Sequence, residues 1–252
     1  MEFNPTYNPF SLVGKTILIT GASSGIGRET AIECSKLGAR CIITARNEER
    51  LQETMSQLVS EGHEYIVADL STQEGIDELC AQVPTLDGIV NNAGVNRRKP
   101  MAFIKGDDLD YIFHTNTYAP ILVIKSLLKK KKIANGASLV FTSSVAAMSS
   151  DFGNAMYGAS KSALTSYMRY CARELADKGV RANTVHPGMV ETNLIHSGAV
   201  TQEDLEKDML RYPLKRYGKP QEVAHMIIYL LSDASAWVTG QSFVIDGGIT
   251  LK

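Results

Sequence analysis

The sequence predicts an α/β protein built on a single doubly wound parallel sheet of about seven strands with helices on both faces. Three observations predict it. Apolar runs and amphipathic segments alternate from residue 15 to the end, as repeated strand–helix units require. Several of the apolar runs are too uniformly apolar to face water on either side, so helices must cover both faces. A chain of 252 residues with no repeat, low-complexity tract or composition shift suits one domain spanning 1–252 with a well-buried core.

The strands are expected at 15–20, 40–44, 64–68, 88–91, 138–142, 181–186 and 242–245, and the helices at 26–37, 48–60, 73–81, a long segment around 107–131, 156–176 and 221–231. Asn47 ahead of Glu48 and Glu49 marks a helix start, because a capping amide and two acids suit exposed N–H groups at the positive end of a helix dipole. Pro220 fits a first turn, where a fixed φ and a missing N–H cost nothing. The stretch 187–216 breaks the alternation and carries the helix-like segment 202–210; a substrate lid is expected around 189–216.

Composition excludes several function classes. An apolar share of 44% with 21% charged residues describes a globular protein, and a net charge of −1 gives no reason to expect nucleic acid or an anionic membrane as partner. Cys34, Cys41, Cys80 and Cys171 are widely spaced in apolar stretches, the usage of reduced, buried thiols, so a cytoplasmic location is expected. The first fifteen residues lack an apolar run long enough for a signal peptide or a membrane span.

The segment Thr20-Gly21-Ala22-Ser23-Ser24-Gly25-Ile26-Gly27 follows the first strand and opens the first helix. Three glycines there let the chain turn sharply, bring backbone N–H groups close to a pyrophosphate and pack helix on strand, which makes the fold Rossmann-like. The second strand ends in Thr44-Ala45-Arg46-Asn47. A site for NAD places an acid here to accept from the ribose hydroxyls; a carboxylate would repel a 2′-phosphate, whereas Arg46 offers it a charge-assisted fork. NADP(H) is therefore favoured, with NAD(H) the alternative, since Ser24 lacks the positive charge that many phosphate-reading glycine loops add.

Tyr157 and Lys161 stand four apart on a helical stretch, so both project from one face and an ammonium lies near a phenol. At about 4 Å a positive charge contributes roughly 4 kcal/mol at intermediate dielectric, which would draw the phenol's pKa towards neutrality. A tyrosine so tuned exchanges a proton near pH 7. Ser144 closes the fifth strand, where its hydroxyl could bond a substrate oxygen as charge develops; Ser143 is the neighbouring alternative, and strand alternation lets only one face the cleft. No histidine is placed like a triad base, and the constellation calls for no metal ion.

On these pieces, with Asn91-Asn92-Ala93-Gly94, Asn116, Pro187-Gly188-Met189-Val190-Glu191-Thr192 and Thr239-Gly240-Gln241-Ser242 leading to Gly248, the chain resembles the short-chain dehydrogenases/reductases from about Gly14 to Gly248. It is most similar to NADP(H)-dependent 3-oxoacyl-carrier-protein reductases and related carbonyl or sugar reductases. The resemblance implies a catalytic set of Asn116, Ser144, Tyr157 and Lys161, in which Asn116 holds a water linking Lys161 to solvent and Lys161 also binds the nicotinamide ribose. It implies a cofactor lying against Gly21, Ser23, Ser24, Gly25, Ile26, Gly27 and Arg46, with Asp69 and Leu70 at the adenine. Asn91, Asn92, Ala93 and Gly94 would back the cofactor, and Pro187, Gly188, Val190 and Thr192 would lie at the carboxamide end. It further implies a homotetramer formed through the helices around 107–131 and 156–176 and contacts near the last strand.

The expected activity is hydride transfer between NADP(H) and a carbonyl/alcohol substrate, reducing a ketone, a 3-oxoacyl thioester or a keto-sugar. The alternatives are an NAD-dependent alcohol or sugar dehydrogenase and a non-catalytic dinucleotide-binding regulator. The lysine run 129–132 with Lys178 is either a docking patch for an acidic acyl carrier protein or a solvated helix end, and Arg97 and Arg98 either hold an anionic substrate or belong to an exposed loop.

Overall fold

The computed structural model describes residues 7–192 and 201–251. Seven strands, β1 (Thr16–Thr20), β2 (Arg40–Ala45), β3 (Glu64–Val67), β4 (Leu86–Asn91), β5 (Ile133–Thr142), β6 (Arg181–Pro187) and β7 (Ser242–Ile245), form one sheet in the order β3-β2-β1-β4-β5-β6-β7. Every pairing is parallel. The order reverses between β1 and β4, and such a switch point opens a crevice beyond the carboxyl ends of the strands.

Strand alternation sends Leu18 and Ile42 to one face and Ile17, Ile19 and Ile43 to the other, all fully buried. The first face is covered by α3 (Gln73–Gln82), α5 (Ala119–Lys129) and α6 (Ala155–Glu174), through Leu79, Val123 and Met168. The second is covered by α1 (Gly25–Lys36), α2 (Glu48–Met55) and α8 (Pro220–Leu231), through Ala31, Leu51 and Ile227. Each fully buried Leu or Ile contributes about 2 kcal/mol, so two continuous cores hold the strand ends rigidly in register.

Three boundaries differ from expectation by more than two residues or in kind. The helix expected at 48–60 ends at Met55, because Gln57 and Leu58 close tight turns on Thr54 and Met55, and Val59 N donates to the buried Ser35 hydroxyl. Strand β5 begins at Ile133, paired with Leu86 across a register slip, where a polar Asn135-Gly136 step hid the strand from an apolar-run criterion. The long helix around 107–131 is α4 (Gly106–Phe113), a π-helical turn (His114–Tyr118) and then α5. Pro120 carries no N–H, so the α-helical bond to the carbonyl of Asn116 cannot form, and the wider turn accommodates the gap.

In the region expected as a lid, 193–200 lies outside the described residues. Beyond it α7 (Gln202–Met209) starts at a capping box of Thr201 and Asp204, and Leu205, Tyr212 and Tyr217 form a small core of their own. Among the described residues no helix is long and apolar enough to cross a membrane, and no group of three or more His, Cys, Asp or Glu could hold a metal ion. All four cysteines are buried and unbonded to one another.

Candidate active site

The turn from β1 into α1 is shaped by glycine where nothing else fits. Gly21 and Gly25 have φ of +67° and +56°. A Cβ on Gly27 would sit 2.3 Å from the Gly21 carbonyl oxygen, and one on Gly21 would sit 2.8 Å from Ala93 Cα. The turn is knotted to the end of β4 by Thr20, whose hydroxyl accepts the backbone N–H of Asn92 and of Ala93, both at 3.0 Å. Asn92 returns its amide to the carbonyls of Thr20 and Gly21.

This cradle fits a dinucleotide on the structure's own terms. The Asn91 side chain is buried with neither polar atom hydrogen-bonded, above a small cavity lined by Thr20, Leu70, Ala93 and Val123. A buried amide without a partner costs free energy that a polar ligand recovers. Arg46 is exposed at the end of β2 and forms no salt bridge among the described residues. Asp69 accepts from the backbone and hydroxyl of Ser71; burial alone would raise its carboxyl, but those bonds and the charge of Arg46 hold it below the ordinary range. On the far side, Thr192 lies against Gly25, with its γ-methyl 3.0 Å from where a Cβ would be, and Gly188 is pinned by its N–H to the Ile245 carbonyl.

The second group gathers around Gly94. A Cβ there would meet Lys161 Nζ at 3.2 Å and Asn116 Oδ1 at 3.3 Å, so both side chains converge on one backbone position beside the glycine turn. Asn116 is fully buried in the π turn, accepting from Val95 N at 2.8 Å and donating to Val95 O and to Ser160 Oγ. Lys161, also buried, donates to the carbonyl of Thr142 at 2.7 Å, and its ammonium lies 5.8 Å from the Tyr157 ring centroid. Burial pulls the Lys161 amine down to about 8.

The two serines after β5 separate cleanly. Ser143 is buried, its hydroxyl engaged with the Lys161 carbonyl and with Thr165. Ser144 is half-buried; its hydroxyl accepts Ala146 N at 3.1 Å and also meets the Tyr157 phenol. The phenol departs from the expectation of a tyrosine acidified by its neighbour. Burial pushes Tyr157 above its ordinary value, and the bond with Ser144 offsets only part of the rise.

Arg97 does not face the crevice as a free cation. It pairs with the buried Asp108 at 2.8 Å and stacks over Tyr111, while Lys99 takes the other carboxylate oxygen. Arg98 stays exposed without an ion pair among the described residues. Lys132 is spent on the carbonyls of Ala81 and Val83, which end α3.

Two residues gain a role only from the structure. Thr20 opens the glycine motif, where a buried threonine directly before a glycine turn is a candidate knot. His186 carries no motif signal beyond standing before Pro187; it is fully buried with Nδ1 3.0 Å from the Ser144 carbonyl.

The sequence family described as enoyl-(acyl carrier protein) reductase matches residues 21–250. The chain belongs to the short-chain dehydrogenase/reductase family. It is 32% identical over 240 residues to the 3-oxoacyl-(acyl-carrier-protein) reductase FabG of Rickettsia conorii, an alignment covering 95% of this chain and 98% of that protein. The solved Pseudomonas aeruginosa RhlG/NADP active-site complex superposes with a TM-score of 0.90 at 32% identity, covering 97% of this chain and all of that one. A short-chain dehydrogenase/reductase of Brucella melitensis, named glucose/ribitol dehydrogenase, gives the same TM-score, identity and coverage. This short-chain dehydrogenase/reductase is accordingly an oxidoreductase of alcohol and carbonyl groups that works with a nicotinamide dinucleotide, which counts against a regulator without turnover.

Proposed function

We propose that this protein is an NADP(H)-dependent reductase of a keto group. The observation that carries the reading is the convergence of Tyr157, Ser144, Lys161 and Asn116 next to a glycine cradle whose second strand ends in an exposed arginine rather than an acid. Gly21, Ser23, Ser24, Gly25, Ile26 and Gly27 would hold the pyrophosphate, Arg46 the 2′-phosphate, Asp69 and Leu70 the adenine, Asn91, Asn92, Ala93 and Gly94 the cofactor's inner side, and Pro187, Gly188, Val190 and Thr192 the carboxamide.

When bound, a dihydronicotinamide supplies the hydride that reaches the carbonyl carbon. Tyr157 gives its proton to the substrate oxygen, and Ser144 steadies the charge that builds on that oxygen. A phenol raised by burial is protonated at neutral pH, the starting state for giving a proton in the reducing direction. Lys161 keeps a cation behind the phenol. Pro120 has no N–H to give the Asn116 carbonyl its α-helical bond, and that carbonyl would hold the water that resupplies the proton.

The substrate class is a ketone, 3-oxoacyl thioester or keto-sugar. The remaining exposed lysines 129–131 with Lys178 offer a surface for an acidic carrier protein. A homotetramer would cover the exposed Tyr118 and Tyr170 on the α5 and α6 faces, and Trp237, fully exposed before β7. Reduced, buried cysteines suit the cytoplasm. The test is a panel of ketones, 3-oxoacyl thioesters and keto-sugars followed by loss of NADPH absorbance. Turnover of one class with NADPH is expected; oxidation of alcohols with NAD alone would overturn the reading.

A further inference from the structure

We propose that His186 is a positioning residue that fixes the backbone of Ser144, and through it the hydroxyl that meets the substrate oxygen. The inference rests on the role given to Ser144 above.

The backbone ladder between β5 and β6 stops where it is needed most. The last paired residues are Thr142 and Val185, and Ser143 N donates once more to the Val185 carbonyl at 2.8 Å. The next donor on β6 would come from residue 187, opposite the Ser143 carbonyl, and as a proline it has none. Ser144 lies one residue beyond the last β5–β6 rung, in an extended conformation at φ −165° and ψ 157°, and the backbone donor on its carbonyl is the nearby Ala147 N at 3.0 Å.

The ring of His186 ties the Ser144 carbonyl to β6. A carbonyl only accepts, so the 3.0 Å contact makes Nδ1 the protonated nitrogen and the Ser144 carbonyl its acceptor. Nε2 then accepts from the Thr184 hydroxyl at 2.9 Å, and Thr184 is braced by Ser242 Oγ at 3.0 Å. Both ring nitrogens are committed and the ring is fully buried, so it cannot turn without breaking two bonds. Burial lowers its affinity for a proton, and the charges of Lys161 and Arg169 act in the same direction against the bond to Ser144, which keeps the ring neutral. A core histidine that merely filled space would need satisfied nitrogens, but not a bond to this carbonyl.

Three substitutions separate positioning from packing. Asparagine places an N–H near the Nδ1 position, glutamine near the Nε2 position, and leucine removes both. His186→Leu and His186→Gln should lower kcat roughly tenfold while KM and NADPH affinity stay within about twofold, because a small misplacement of Ser144 acts on the chemical step. His186→Asn should recover kcat to within about threefold of wild type. Asparagine and glutamine variants equally slow, or all three at wild-type kcat, would overturn the proposal. Should the leucine variant fail to fold, the asparagine–glutamine pair still decides. Nitrogen-15 spectra of the histidine-labelled apo protein give an activity-free check. They should show a neutral ring carrying its proton on Nδ1, and an Nε2-protonated ring would also overturn it. A wild-type protein that reduces no carbonyl of the panel would refute the proposed function instead, leaving the ring contact to be read from the spectra.

Discussion

The two parts of the site are held in place by different means. The glycine turn after β1 is positioned by backbone meeting backbone: a Cβ on Gly21 or Gly27 would strike main-chain atoms of Ala93 or of Gly21 itself. The end of β5 is positioned by side chains, with Lys161 on the Thr142 carbonyl, Ser143 on α6 and His186 on the Ser144 carbonyl. Each part therefore tolerates a different kind of change. A region fixed by absent side chains fails when atoms are added, and one fixed by hydrogen bonds fails when atoms are removed.

The largest effect expected from that contrast is on Tyr157→Phe. Removing one oxygen should cut kcat by about a thousandfold, the upper range of general acid catalysis, and leave NADPH affinity unchanged in a fluorescence titration. A parallel loss of affinity would erase the boundary between the two parts.

Next comes the pH dependence of stability carried by Lys161. Its folded value of about 8 lies below the ordinary 10.5, so between those values the unfolded chain binds more protons. The penalty is fully in force below pH 8 and is relieved as pH rises towards 10.5, with a limit on the order of 3 kcal/mol. Denaturant unfolding of the apo protein from pH 7 to 10 should show wild type gaining on Lys161→Met; a constant difference between the two would contradict the burial of the amine.

Gly27→Ala should destabilise by roughly 1 to 3 kcal/mol, since the added carbon meets a main-chain oxygen that cannot step aside. Its melting temperature should fall and cofactor affinity with it. Retention of both would mean that the turn is softer than its contacts imply. The smallest effect is that of Arg46→Asp, expected to weaken NADPH binding about tenfold or more with little change for NADH. Equal losses would remove Arg46 from the 2′-phosphate.

Much of this was legible in the chain. The alternation of apolar runs gave all seven strands, because buried parallel strands have few ways to be polar, and the glycine turn announced itself by spacing and context. Other features depend on tertiary distances that spacing does not encode. Arg97 looked free until Asp108, eleven residues on, came into its reach. The phenol of Tyr157 looked cation-tuned until its burial was known. The choice between Ser143 and Ser144 needed the position of α6, whose Thr165 and Lys161 carbonyl occupy Ser143. His186 stayed silent because its partner is a main-chain carbonyl, which every residue has.

The π turn at His114–Tyr118 has a bearing on how the chain can vary in length. It accommodates one residue more than an α-helical path over the same rise. Deleting one residue there would let the segment run as a regular α-helix with Val123 and Leu127 still against the sheet, while the widened backbone that aims Asn116 at Val95 would be lost. One residue added or removed elsewhere in this helix, with no bulge to absorb it, would instead turn everything beyond it by about 100° and carry Val123 and Leu127 off the sheet.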